Sequence, residues 1–307
     1  MKIHESRVQS PESRTNRRRA GDCGLRTGNC ESAFTLIELL VVISILGILA
    51  ALTVPALKNF GKSDVNISAS RQLLDGVARA RQLAISQRTT VFMVFVPTNF
   101  WEISPGVLNS GWLTKLTPAQ TNAAVNLCGE QLSGYNFVAQ GAMGDQPGQH
   151  AWHYLAPWQT LPDGAFIAQW KFSPRNSTNY VTDTINNITY YIAGFNRTTS
   201  LIPFPTQDSP TLTTVTNLPY IAFNYLGQLT TEQVTPAPLT QDEYIPLAHG
   251  SVMPAIKPNT KELQIGAGDS PDVLEVPPGN STNISYNIVH ISWLTGRAVL
   301  EHHKLGP

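Results

Sequence analysis

Glu38 is the first residue whose setting demands a chemical explanation. It lies near the start of an almost wholly apolar stretch, AFTLIELLVVISILGILAALTVPAL, running from Ala33 to Leu57. A carboxylate inside such a stretch costs on the order of several kcal/mol unless it finds a partner, so it marks a functional position. It can be met by a cation from another chain, or it can take up a proton. A second candidate is the loop Gly266–Glu275, where Asp269, Asp272 and Glu275 offer the oxygen ligands that calcium prefers. Their spacing matches no defined calcium loop, so they form a weak candidate, and no other metal site is expected. The adjacent His302 and His303 would point to opposite faces of a strand and would not share a metal. Cys23 and Cys30 lack zinc-site spacing, and Cys128 stands alone in the rest of the chain. No nucleophile elbow, phosphate-binding loop, dinucleotide fingerprint or zinc-peptidase motif occurs, so neither an enzyme nor a cofactor is expected.

The elements around Glu38 follow from composition. Lysine plus arginine and aspartate plus glutamate each total 21, so no net charge draws the chain to nucleic acid, and no nucleic-acid partner is expected. The positive charge is concentrated at the front, where Arg14, Arg17, Arg18, Arg19 and Arg26 precede the apolar stretch. Residues 1–33 lack apolar periodicity and read as a basic leader. A basic segment directly before an apolar span holds that side in the cytoplasm and sends the C-terminus outward. Residues 34–57 make ~36 Å of helix at ~1.5 Å per residue, enough to cross a bilayer with some tilt. Ala33, a small residue, precedes the apolar core. A cut between Ala33 and Phe34 would therefore remove the leader and leave the span on the protein, unlike the cut of a secretory signal.

These residues carry a resemblance. Phe34-Thr35-Leu36-Ile37-Glu38 followed by Leu39-Leu40-Val41-Val42 resembles the N-terminal signature of type IV pilins and type II secretion pseudopilins. The resemblance implies cleavage after Ala33 by a membrane prepilin peptidase, which also methylates the new amine of Phe34. It implies assembly through Glu38, whose carboxylate would meet the N-terminal amine of a neighbouring subunit. Pro55 falls where the family commonly has a proline that bends the helix. The implied partners are the prepilin peptidase/methyltransferase, other pilin or pseudopilin subunits, and the inner membrane.

Past the span, residues 58–88 are expected to continue the helix with one apolar stripe, Leu73, Val77, Ala80 and Ala84, flanked by Leu74, Ala78 and Ile85. From 89 to 307 the period changes to two. Strands are expected at Thr90–Val96, paired with Phe100–Ile103 across a turn at Pro97-Thr98-Asn99, then at Tyr135–Ala139, Ala165–Trp170, Ile188–Ala193 and Tyr220–Tyr225. A closing hairpin joins Ser285–Trp293 to Arg297–Glu301. The polar stretches 104–150 and 172–215 read as long loop insertions, where a partner surface could sit. Proline-rich stretches at 201–219 and 234–260 bracket the strand at Tyr220–Tyr225. The resulting plan is α+β: a long N-terminal helix packed on antiparallel sheet, like a pilin. AlaArgAlaArgGlnLeuAla (78–84), Leu161-Pro162-Asp163-Gly164 and the Thr295-Gly296-Arg297 turn resemble the H-type minor pseudopilins and their FimT-like relatives. The resemblance implies a periplasmic domain on a single-pass anchor and a structural role in protein secretion. A membrane-anchored adhesin or ligand-binding pilus tip is the alternative.

Overall fold

The computed structural model describes residues 35–104, 107–141, 151–173, 175, 178–183, 188–198, 202–209, 218–231, 239–260, 262–282 and 287–302. The side chains of 51–64, 103–104, 178–183, 188–191 and 302 fall outside that description. Two units are distinguished, Met1–Pro55 and Ala56–Pro307.

One helix, α1 (Leu36–Gln87), opens the described chain. It ends because Arg88 takes a positive φ of 53°, one residue short of the expected Arg88 boundary. Next come β1 (Val91–Phe95), the small hairpin β2 (Glu102–Ser104) and β3 (Val107–Leu108), and the helices α2 (Ser110–Leu113) and α3 (Pro118–Cys128). Strands β4 (Gly134–Gln140), β5 (Trp152–Tyr154), β6 (Gln159–Thr160) and β7 (Ala165–Ile167) follow, and a 3₁₀ turn at Gln169–Phe172 succeeds β7. Then come β8 (Thr178–Asp183), β9 (Ile188–Ala193), β10 (Asn196–Arg197), β11 (Pro219–Phe223) and β12 (Leu229–Thr230). The chain closes with β13 (Glu243–Met253), β14 (Asp272–Glu275), β15 (Asn287–Ile291) and β16 (Ala298–His302).

The described chain is thus a mixture of helix and antiparallel sheet with a helix at its N-terminal end. The larger sheet runs β10-β11-β1-β4-β5, with β12 on β11 and β6 on β4; the second runs β14-β13-β15-β16, with β7 on β13. The stripe expected on α1 is buried: Leu73, Val77, Ala80 and Ala84 are inaccessible, together with Ala69. Its flank differs from expectation. Ala78 and Ile85 face solvent, whereas Leu83 and Gly76 turn inward. Gly76 permits the close approach, since a Cβ there would lie 3.1 Å from the Tyr135 ring.

β1 is buried along its whole length, and its alternate residues serve two different cores. Val91, Met93 and Phe95 join the α1 stripe, with Phe137 and Ala139 of β4, Ile221 and Phe223 of β11, and Ile167, Leu247 and Val289 of the second sheet. Phe92, Val94 and Val96 point the other way, into a cluster with Trp101, Trp112, Leu127, Val138, Phe204 and Tyr220. A strand read as a continuous apolar run is covered on both faces for this reason.

Four expectations are corrected here. β1 does not pair with Phe100–Ile103; its edges are taken by β4 and β11, and β2 pairs with β3 instead. Residues 104–150 are not loop throughout: beside the strand expected at Tyr135–Ala139, present as β4, they hold the helices α2 and α3. The helix α3 begins with a capping box: the Thr117 hydroxyl accepts from Gln120 N at 3.4 Å, and Thr117 N donates to Gln120 Oε1 at 2.9 Å, with Pro118 at the first helical position. The stretch expected as Ala165–Trp170 strand stops at Ile167 and turns into the 3₁₀ segment. The fourth correction is β13, an 11-residue strand inside the proline-rich stretch 234–260, where no strand is expected. Pro246 is tolerated because its carbonyl accepts from Ala168 N at 3.0 Å. Its nitrogen faces the same edge, toward Ala168 beyond the last pair with β7, so no donor is missing from the ladder with β15.

Candidate assembly site

The start of α1 is built by Thr35. As the residue before the helix, its hydroxyl accepts from Glu38 N at 3.3 Å and lies 3.5 Å from Glu38 Oε2, to which it donates. Its carbonyl also accepts from Glu38 N at 3.0 Å. Thr-x-x-Glu is capping-box spacing, and a carboxylate in the first turn is favoured by the partial positive charge of the helix end. Glu38 is therefore oriented by local geometry, and its side chain is exposed. Ala33 and Phe34 lie outside the described residues.

Every side chain from Thr35 to Ala50 is exposed, including Leu36 at 82% and Ile48 at 62%. Such an all-round apolar surface needs a non-aqueous neighbour. Among the described residues no helix is long and apolar enough to cross a membrane. The side chains described in this stretch end at Ala50, short of the expected boundary at Leu57. Ser44, within it, is internally satisfied by donating to the Leu40 carbonyl at 2.5 Å. Pro55 lies inside α1, at the division between the two units.

The carboxylates singled out for calcium are not brought together. Asp269 accepts from Gln264 Nε2 at 2.7 Å, and Glu275 accepts from both the backbone N–H and the hydroxyl of Ser281. Asp272 opens β14 opposite Met253 and is exposed. Among the described residues no three His, Cys, Asp or Glu side chains gather as a metal-ligand set. His302 ends β16, and His303 lies outside the described residues.

Sequence reasoning missed a buried charge cluster. Lys171, in the 3₁₀ segment, is 1% exposed and meets Glu243 at the start of β13, itself 3% exposed. Arg175 binds the other carboxylate oxygen at 2.5 Å, and Lys171 also donates to the Ala193 carbonyl at 2.7 Å. Burial pushes the Lys171 ammonium below the usual lysine range, and the attraction of Glu243 opposes that shift. The Lys171 ammonium also lies 4.8 Å from the Phe195 ring centroid. The cluster joins the 3₁₀ segment to β9 and β13. A depression of about 590 Å³ beside α1 is lined by Arg71, Gln72, Asp75, Arg79 and Tyr135. Gln72 there bridges to the Thr160 carbonyl at 2.7 Å.

No characterised protein and no solved structure matches the chain. Residues 28–54 match the prokaryotic N-terminal methylation motif, the type IV pilin signature, in a span that takes in Ala33, Phe34 and Glu38.

Proposed function

We propose that this chain is a structural subunit of a type IV pilus or type II secretion pseudopilus, of the H-type minor class. It is cut between Ala33 and Phe34, methylated at the new Phe34 amine, and held in the inner membrane by residues 34–57 with its C-terminal domain in the periplasm. Glu38 then meets the amine of a neighbouring subunit as the helices pack into a filament. The observation that carries this reading is the methylation motif at 28–54, laid over a helix start whose first-turn acid is the one charge in an exposed apolar surface. The long helix followed by antiparallel strands accords with a pilin-like plan. The test is N-terminal sequencing and intact mass of the membrane-extracted protein. A chain beginning at N-methylated Phe34 is expected; one beginning at Met1, or after the apolar stretch, would overturn the proposal.

A further inference from the structure

The depression of about 590 Å³ beside α1 has no part in processing or in the Glu38 contact. One wall of it is a row of charges. Arg71, Asp75 and Arg79 follow one another at four-residue steps on one face of α1, so successive charges lie about 6 Å apart along the axis at ~1.5 Å per residue. Opposite charges at this spacing are placed to pair. Here they do not: among the described residues no ion pair joins Asp75 to either arginine. The Arg79 guanidinium lies instead 5.4 Å from the centroid of the Phe137 ring. All three side chains are exposed.

The floor is fixed. Tyr135 of β4 lines the depression while only 1% exposed, and its hydroxyl accepts from Gln72 Nε2 at 3.4 Å. The same amide nitrogen donates to the Thr160 carbonyl at 2.7 Å, which holds Gln72 against the sheet. The Tyr135 hydroxyl proton has no acceptor among the described residues, so a buried donor is left for an occupant.

Two cations, one anion and one hydroxyl donor select an occupant by pattern. A plain polyanion would meet both arginines but would be repelled by Asp75 between them. The complement is an acid, a base and an acid at intervals of about 6 Å. In an extended segment alternate residues share a face and lie about 6.6 Å apart, so acid-x-base-x-acid keeps step with the row. A carboxylate opposite each arginine accepts paired guanidinium N–H donors, which adds geometry to charge. This chain carries no such segment, since no two of its Asp or Glu residues stand four apart. We propose that the depression lined by Arg71, Asp75, Arg79 and Tyr135 is a docking site for an extended acid-x-base-x-acid segment of a different protein. The proposal goes beyond the assembly reading and does not depend on cleavage at Ala33.

The test uses the full chain in detergent at low salt and fluorescein-labelled peptides read by fluorescence anisotropy. A peptide carrying Glu-Thr-Lys-Thr-Glu should bind. The inverted peptide, Lys-Thr-Glu-Thr-Lys, and the base-free peptide, Glu-Thr-Thr-Thr-Glu, should each bind at least tenfold more weakly. Reversing the row with Arg71→Glu/Asp75→Arg/Arg79→Glu should exchange the preference, so that the inverted peptide binds at least tenfold better than the original. Because the three side chains are exposed, the reversed chain should melt with the parent, and the native chain tested on the three peptides needs no variant at all. Equal binding of the base-free peptide marks an unselective anion surface and overturns the proposal. Binding of none of the peptides overturns it as well. So does self-association of the parent, measured by light scattering, that the reversed row abolishes, since the occupant would then be a second copy.

Discussion

Replacing Glu243 by glutamine removes the one negative charge between Lys171 and Arg175. Arg175 is 29% exposed and can turn toward water, so its loss of a partner costs under about 1 kcal/mol. Lys171 is 1% exposed and cannot; an uncompensated buried charge costs about 3–5 kcal/mol. Glutamine retains an acceptor oxygen, which puts the expected loss near the lower end. The Ala193 carbonyl and the Phe195 ring remain as weaker partners. For a body of this size each kcal/mol moves Tm by about 2–4 °C, so a loss of about 3 kcal/mol gives a fall of about 6–12 °C near neutral pH. The pH dependence gives the cause away. Burial already holds the folded Lys171 below the ordinary lysine value of 10.5, so in that window the unfolded chain binds more protons, and stability from this group rises with pH. Without Glu243 the opposing attraction is gone and the window widens downward. The deficit of Glu243→Gln should therefore shrink as pH is raised from 7 toward 10. Thermal unfolding followed by near-ultraviolet circular dichroism across that range is the assay. The double variant Lys171→Met/Glu243→Leu, which removes both charges, should recover most of the loss at pH 7. A Glu243→Gln protein within 2 °C of the parent, or one whose deficit does not change with pH, would refute the reasoning.

Glu38→Ala should be inserted and cleaved normally but fail to enter filaments, since an N-terminal amine left unpaired in a dry core costs about 3–5 kcal/mol; unchanged incorporation by fractionation and immunoblotting would remove the pairing role. Gly134→Ala should destabilise the body by about 1–3 kcal/mol in thermal melts, because a Cβ there would stand 2.9 Å from Glu130 Cβ, Glu130 O and Val96 Cγ2. Cys128 is buried and its thiol is pushed up to about 11 by desolvation, so the processed protein should resist alkylation at pH 8 until denatured; prompt labelling of the native form would contradict its placement.

Much of this fold is local and therefore legible. The α1 stripe, β1, β4, β9, β11 and the β15–β16 hairpin each announce themselves by period. The helix α3 was equally local: Thr117, Pro118 and Gln120 spell a capped start, but the Asn- and Gln-rich composition around them drew attention instead. β13 was masked by Pro246, whose acceptability depends on which strand edge its nitrogen faces. That is a tertiary fact. The partners of β1 could not be read either, since Met93 pairs with Phe137 on one side and Ile221 on the other. At the candidate assembly site, Glu38 stands out because its apolar surroundings are contiguous in sequence. Lys171 and Glu243 do not, because each looks like an ordinary surface charge until the chain between them folds.

The two-faced burial of β1 has a consequence for how this chain can vary. If only a long helix covered the sheet, the other face would meet water and could be polar. Here Phe92, Val94, Val138 and Tyr220 are committed to that face, and Trp101, Trp112, Leu127 and Phe204 cover it. The added elements are thus a structural debt written into the strands themselves. Trimming residues 99–128 to reach a minimal helix-and-sheet domain would remove Trp101, Trp112 and Leu127 and leave the apolar face of Phe92, Val94 and Val138 partly uncovered. Any shortened form would need polar residues at alternate positions of β1, β4 and β11 in the same step, so insertion and sheet can change only together.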